Sequence, residues 1–126
     1  MFVVVVVPGV GLSSKPLIII TRNYYFVGLD NGVLLPAALD DGIEEIYVAD
    51  NERYFRRTLY STFHGRDIYV PIAVAIINGD FIKSIGKKIK IDELVNSEVT
   101  FRHGIEDGCV TVKVLYIDKY GNAKLS

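Results

Sequence analysis

The chain carries a single cysteine, Cys109, so it can form no internal disulfide, and that scarcity fits a reducing, cytoplasmic setting. It has no apolar run near the ~20 residues a membrane-spanning helix requires, so no membrane is expected as a partner. The apolar start Phe2–Val7 has no basic segment before it and runs straight into Pro8-Gly9, which reads against a secretory signal. An excess of charge of either sign is lacking as well. With 14 basic and 15 acidic side chains the net charge is −1, which offers no footprint for nucleic acid or an anionic surface. The dinucleotide fingerprint and the phosphate loop with its Gly-Lys-Ser/Thr ending are both missing. Pro8-Gly9-Val10-Gly11 is therefore read as a turn whose glycines supply positive φ.

Core material, by contrast, is plentiful. Half of the 126 residues are hydrophobic, enough for one domain or a little less. Phe2–Val7 is apolar at successive positions, the pattern of an interior strand covered on both faces. Leu17–Thr21 and Tyr24–Gly28 read as two strands joined by Arg22-Asn23, and Asp30-Asn31-Gly32 is a strong turn signal. Val33–Leu39 predicts a short helix with Pro36 in its first turn. Ile43–Ala49 reads as a strand, and Asp50 or Asn51 can cap a short helix over Glu52–Arg57. Ile68–Asn78 predicts a helix that is apolar nearly all round and hence buried, with Pro71 in its first turn and Asn78-Gly79 at its end. This alternation of strands and helices means α/β with a parallel or mixed sheet.

The composition shifts after residue 80. Phe81–Gly86 reads as a helical turn and Lys87-Lys88-Ile89-Lys90 as a basic run on a solvated edge. A hairpin is expected next, with Glu98–His103 pairing across Glu106-Asp107-Gly108 with Cys109–Asp118. Val110, Val112, Val114 and Tyr116 share one face of its second strand. A lone hairpin is marginal in water, so that face is expected to find cover in an oligomer.

Chemistry-bearing residues concentrate in Ser61-Thr62-Phe63-His64-Gly65-Arg66-Asp67, at the entrance to the apolar helix. Asp67 suits a helix N-terminus, whereas Arg66 is disfavoured there by the dipole and needs a carboxylate partner. His64 is then either a satisfied loop residue or a functional one. Ser61, His64 and Asp67 do not make a hydrolase triad, because three residues of one short loop cannot align as that mechanism requires.

Four stretches together resemble one family. They are Val3-Val4-Val5-Val6-Val7-Pro8-Gly9-Val10-Gly11, Tyr25-Phe26-Val27-Gly28-Leu29-Asp30-Asn31-Gly32-Val33-Leu34, Ser61–Ile68, and Tyr116-Ile117-Asp118-Lys119-Tyr120-Gly121-Asn122. In order and spacing they are similar to the S-adenosylmethionine hydroxide adenosyltransferases, relatives of the fluorinase and chlorinase enzymes. The resemblance implies cleavage of S-adenosylmethionine by water to adenosine and methionine, with S-adenosylmethionine as substrate and no further cofactor or metal. It implies an α/β N-terminal domain, here 1–90, followed by the start of an antiparallel β-barrel domain, here 91–126. It also implies a homotrimer with substrate held between neighbouring subunits.

Carried over by position, the resemblance makes His64 the catalytic histidine and assigns Asp118 and Asn122 to substrate, at its methionine end and adenine respectively. An Asp and an Arg complete the family's catalytic set, and this chain has Val7 and Ser14 in their places. Lys15 could supply a charge near the second, but without the planar fork of Arg. The resemblance further implies that an N-terminal strand and loop are missing before Met1 and the rest of the barrel after Ser126. The expectation is a truncated, impaired S-adenosylmethionine hydrolase. The alternative is a non-catalytic oligomeric remnant that binds adenosine or S-adenosylmethionine.

Overall fold

The computed structural model of the chain describes residues 1–6, 15–56, 63–95, 104–106, 108–112 and 114–125. They form two compact units, Met1–Asn96 and Ser97–Ser126. The first unit contains β1 (Phe2–Val4), β2 (Pro16–Thr21), β3 (Tyr25–Leu29), α1 (Leu35–Asp41), β4 (Ile43–Ala49), α2 (Val70–Ile77), α3 (Ile82–Ile85) and β5 (Gly86–Ile89). Its five strands make one mixed sheet in the order β1-β3-β2-β4-β5, with β1 parallel to β3 and the other pairs antiparallel.

Side-chain alternation sends β2 residues to both faces of this sheet. Leu17 and Ile19 join Phe26, Ile46, Leu34, Leu35 and Ala38 in an apolar cluster on the α1 side. Ile18 joins Val27, Leu29, Tyr47, Tyr69 and Ile72 on the α2 side. The strand buried on both faces is thus β2. The expectation of an interior Phe2–Val7 strand is not met: among the described residues β1 lies at the sheet edge, pairs with β3 alone, and leaves Phe2 and Val3 exposed. An apolar run shows that water is disfavoured on both faces, but it does not count a strand's neighbours.

Local chemistry explains most other boundaries. Pro36 sits in the first turn of α1, and Gly42, at φ 79°, ends the helix with its N–H on the Leu39 carbonyl. Asn51 caps only the short 3-10 turn Glu52–Tyr54, accepting from the Arg53 N–H at 3.2 Å, where a longer helix was expected. The basic run lies in β5, an edge strand with Lys87 and Lys88 exposed. Gly86 is obligatory there, because a Cβ on it would fall 2.0 Å from the Val48 carbonyl oxygen.

The apolar helix begins earlier than expected. A wide turn over Gly65–Tyr69, in which the Val70 N–H reaches back to the Gly65 carbonyl, leads directly into α2. Pro71 supplies the reason. In an unbroken α-helix residue 71 would donate to the Asp67 carbonyl, and proline has no N–H to give. The Arg56 N–H takes that acceptor instead, at 2.7 Å, and the wide turn accommodates the ring. At the other end Gly79 donates to Ile76 and Asp80 to Ala75, the paired bonds of a Schellman cap. Burial all round is not found: Ile72, Ala73 and Ala75 face the core, while Val70 and Val74 are exposed and Ile77 is 71% exposed.

The second unit holds two separate antiparallel ladders, β6 (Gly104–Glu106) with β7 (Cys109–Thr111) and β8 (Val114–Ile117) with β9 (Ala123–Leu125). Among the described residues they close no barrel. The expected strand Cys109–Asp118 is therefore two strands, and its partner Glu98–His103 lies outside the described residues. Val110, Val112, Val114 and Tyr116 are all exposed, and a register shift between Val114 and Tyr116 breaks the period of two.

Two measurements follow from the α2 region. The Tyr69 hydroxyl is fully buried and meets no hydrogen-bond partner among the described residues. Tyr69→Phe removes that unsatisfied group at nearly constant volume, so urea unfolding should show it unchanged or about 1 kcal/mol more stable. A loss above about 1 kcal/mol would mean that the hydroxyl has a partner. Asp67, meanwhile, is held below its usual carboxylate range, first by the hydrogen bonds from Arg66 and then by the charges of Arg66, Arg56 and His64. A depressed folded-state pKa contributes stability above the unfolded value of about 3.9 and loses it as pH falls through the lower folded value. Asp67→Asn should therefore lower the urea midpoint at pH 7, and the gap to the parent should narrow as the pH falls through the depressed folded-state value. A gap independent of pH would assign the effect to packing.

Candidate functional site

Ligand-binding crevices of open α/β sheets lie off the carboxyl ends of the strands, and here the parallel pair β1 and β3 ends on one side. Two contacts hold that end together. Asn31, just past β3, donates its Nδ2 hydrogen to the Val6 carbonyl at 2.6 Å and accepts the Val33 N–H on Oδ1 at 3.1 Å. Gly65 lies against Val5, so closely that a Cβ on it would come within 2.9 Å of the valine Cγ1. Glycine at 65 is thus what lets the start of the α2 segment approach the exit of β1. Gly28 does the same one layer back, where a Cβ would meet the Val4 carbonyl oxygen at 2.7 Å.

His64 sits immediately before this contact, half-buried, and makes no capping hydrogen bond with its side chain. Arg66 does not face a distant carboxylate. It forms a forked pair with its neighbour, Nε to Asp67 Oδ1 at 2.7 Å and Nη2 to Oδ2 at 2.9 Å. The Asp67 side chain is 5% exposed and that of Arg66 53%, so the pair lies at the surface of the core, where water weakens the attraction. The Arg66 guanidinium also lies 4.9 Å from the centre of the Phe63 ring. Arg66 and Asp67 thus form a structural pair, which among the described residues of this stretch leaves the imidazole of His64 available for chemistry.

Asp118 and Asn122 belong to the second unit, in the turn between β8 and β9. The Asp118 carboxylate accepts from the backbone N–H of Tyr120 at 2.8 Å and of Asn122 at 2.9 Å, and from the Asn122 Nδ2 at 2.9 Å. The Asn122 side chain contributes most to holding the Asp118 carboxyl below its usual range. The two residues assigned to substrate are therefore brought together, each satisfied by the other. Val7 and Ser14 lie outside the described residues.

Asn31 and Asp30 escaped the sequence reading as anything beyond a turn. Asp30 is buried, donates its N–H to the Lys15 carbonyl and accepts the Val95 N–H on Oδ1 at 2.9 Å. The bond from the Val33 N–H to the Asn31 Oδ1 is the local signature of an Asx turn. The other side-chain bond of Asn31, to Val6, crosses 25 positions and leaves no trace in local sequence. Among the described residues no cluster of His, Cys, Asp and Glu side chains could hold a metal ion, and no helix is long and apolar enough to cross a membrane.

Residues 1–86 match the family described as the SAM hydroxide adenosyltransferase N-terminal domain. An (R)-S-adenosyl-L-methionine hydrolase of Salinispora arenicola is 32% identical over 125 residues, covering 98% of this chain and 48% of that protein. The enzyme of the same name from Methanocaldococcus jannaschii is 35% identical over 123 residues, covering 95% of this chain and 40% of its own length. The chain thus spans about half the length of the curated relatives it matches. The crystal structure of an uncharacterized conserved protein from Thermotoga maritima superimposes with a TM-score of 0.72 at 32% identity, over 93% of this chain and 44% of the other. A conserved hypothetical protein from Thermus thermophilus shares the fold, with a TM-score of 0.66 at 23% identity over 98% of this chain and 45% of the other. The match over residues 1–86, and the relatives aligned over nearly the whole chain, establish that this protein belongs to the SAM hydroxide adenosyltransferase family.

Proposed function

We propose that the chain derives from an S-adenosylmethionine hydrolase and carries that reaction in impaired form. The observation that supports it most is the packing of the His64-Gly65 helix start on the exit of β1, at the ligand edge of the sheet. In this reading a water oxygen attacks C5′ of the ribose as the C5′–S bond breaks. Methionine leaves with the bonding pair, and the water's proton passes to His64. Neutral water is a poor nucleophile, with a bulk pKa of about 15.7, so the step needs a base beside it. The family places a carboxylate and a guanidinium there as well, and this chain has Val7 and Ser14 at those positions. His64 then has no anion at position 7 to orient its ring, and the water has no cation at position 14 to favour hydroxide.

Asp118 and Asn122 are proposed to exchange their mutual hydrogen bonds for contacts to the methionine and adenine ends of the substrate. Residues 1–90 are taken as part of the family's α/β domain and 91–126 as the beginning of its β-barrel. A homotrimer would bring the two kinds of residue together from neighbouring copies. The substitutions at positions 7 and 14 also favour a second reading, in which the chain is an oligomeric remnant that binds adenosine or S-adenosylmethionine without turnover.

Adenosine release from S-adenosylmethionine separates the two. His64→Ala should lower the parent rate by about 10²-fold or more, the usual contribution of a positioned acid–base group. Val7→Asp with Ser14→Arg should raise it, with each single change giving little, because residues acting as a unit are strongly non-additive. Equal rates in the parent and His64→Ala would remove the histidine from the reaction. A folded double variant that binds S-adenosylmethionine but releases no adenosine would establish the remnant reading.

A further inference from the structure

The ladder between β1 and β3 ends where Val4 meets Gly28. Past it, the backbone N–H groups of Asp30 and Asn31 are spent elsewhere, on the Lys15 and Leu29 carbonyls, each at 3.0 Å. The tie to the β1 segment passes instead to a side chain. Asn31 donates from Nδ2 to the Val6 carbonyl at 2.6 Å while its Oδ1 holds the Val33 N–H at 3.1 Å. Its neighbour Asp30 is anchored in turn, its Oδ1 accepting the Val95 N–H at 2.9 Å. Two adjacent residues thus hold Val6 on one side and Lys15 on the other. A backbone ladder forms with almost any side chain, but a bridge that donates and accepts at once requires the carboxamide.

The Val6 carbonyl belongs to the planar peptide unit that leads into residue 7. One residue earlier, Val5 packs against Gly65, the neighbour of His64. Two residues of chain span at most about 7 Å, and adjacent Cα atoms lie about 3.8 Å apart. The heading of the chain at Val6, more than its reach, therefore decides whether a side chain at position 7 meets the imidazole. We propose that Asn31 is a positioning residue, whose bond to the Val6 carbonyl aims the group at position 7 toward His64. This role rests on the hydrolase reading, in which positions 7 and 64 act on the same water, and it identifies what sets their mutual geometry. Misplacement of reacting groups by about 1 Å costs about 10²-fold in rate, so one hydrogen bond at this point weighs more on chemistry than on folding.

A thiol at position 7 tests this without turnover. Cys109→Ser first removes the exposed native thiol. In that background Val7→Cys is alkylated with iodoacetamide at about pH 6.5, with and without His64→Ala. A thiol beside an imidazole ionises more readily, and the lower nucleophilicity of its thiolate offsets only part of the gain. Alkylation should be about fivefold faster with His64 than with His64→Ala. Asn31→Asp, ionised at this pH, still accepts the Val33 N–H but cannot donate to Val6, and should bring the ratio to about one. Asn31→Ser, uncharged and also able to close the local turn, should do the same. Taking the ratio within each background cancels the charge that Asn31→Asp adds. Thr21→Val removes a turn bond at the opposite end of β3, and should lower the urea midpoint while keeping the ratio. Far-UV circular dichroism confirms that each variant is folded. A ratio near one with Asn31 present, or one that survives both Asn31 variants, would overturn the proposal. A ratio lost equally with Thr21→Val would overturn it too, and make Asn31 a purely structural residue. Adenosine release is measured separately, so equal release by the parent and His64→Ala removes the hydrolase reading while the thiol pattern still decides the role of Asn31.

Discussion

Leu17, Ile18 and Ile19 lose almost all contact with water, and a strand dried on both faces must find backbone partners on both edges and apolar cover above and below. β3 and β4 supply the edges, α1 covers one face, and α2 with Tyr69 covers the other. Each such side chain is worth about 1.5–3 kcal/mol when buried, against a total margin of about 5–15 kcal/mol for a domain. Loss of this one strand's cover would therefore consume much of the stability available. Because β2 is apolar on both faces, burial alone does not choose its register. The turn after it does. Thr21 bonds the Tyr24 carbonyl through both its N–H and its hydroxyl, and Asn23 is tied twice to Asp41 at the end of α1.

The chemistry-bearing stretch depends on that frame through a proline. Pro71 removes a donor from the middle of a helix, and the freed Asp67 carbonyl is taken by Arg56 from another part of the chain. The wide turn that results carries His64 and Gly65 to the exit of β1, while Arg66 and Asp67 satisfy each other. An imidazole is thereby placed at the carboxyl end of β1 without burying an unpaired charge.

The glycines at 28 and 65 and the helix start all lie within the residues 1–86 that match the family. The chain spans about half the length of its curated relatives, and its substrate-contact candidates occupy a different compact unit from His64. In the proposed reading, the strength of the catalytic group rests on what surrounds the histidine. An imidazole that loses a neighbouring anion is a weaker base and a less well oriented one.

Where turn chemistry and side-chain period act over a few residues, the sequence alone determined the structure. The hairpin from Leu17 to Gly28, the strand Ile43–Ala49, Pro36 in the first turn of α1 and Gly79 at the end of α2 were all legible, because each follows from bonds to near neighbours. The family could be read from its spaced motifs for the same reason. Tertiary structure alone decided which apolar strand is interior. Phe2–Val7 and Leu17–Ile20 look alike as strings, and only the sheet order makes β1 an edge and β2 the centre. It also decided where the helix begins, because the Arg56 N–H that satisfies Asp67 comes from a separate segment. Asn31 is the clearest case. Its turn-forming bond to Val33 is local and predictable, whereas its bond to the Val6 carbonyl exists only once parallel pairing has set the ends of β1 and β3 side by side.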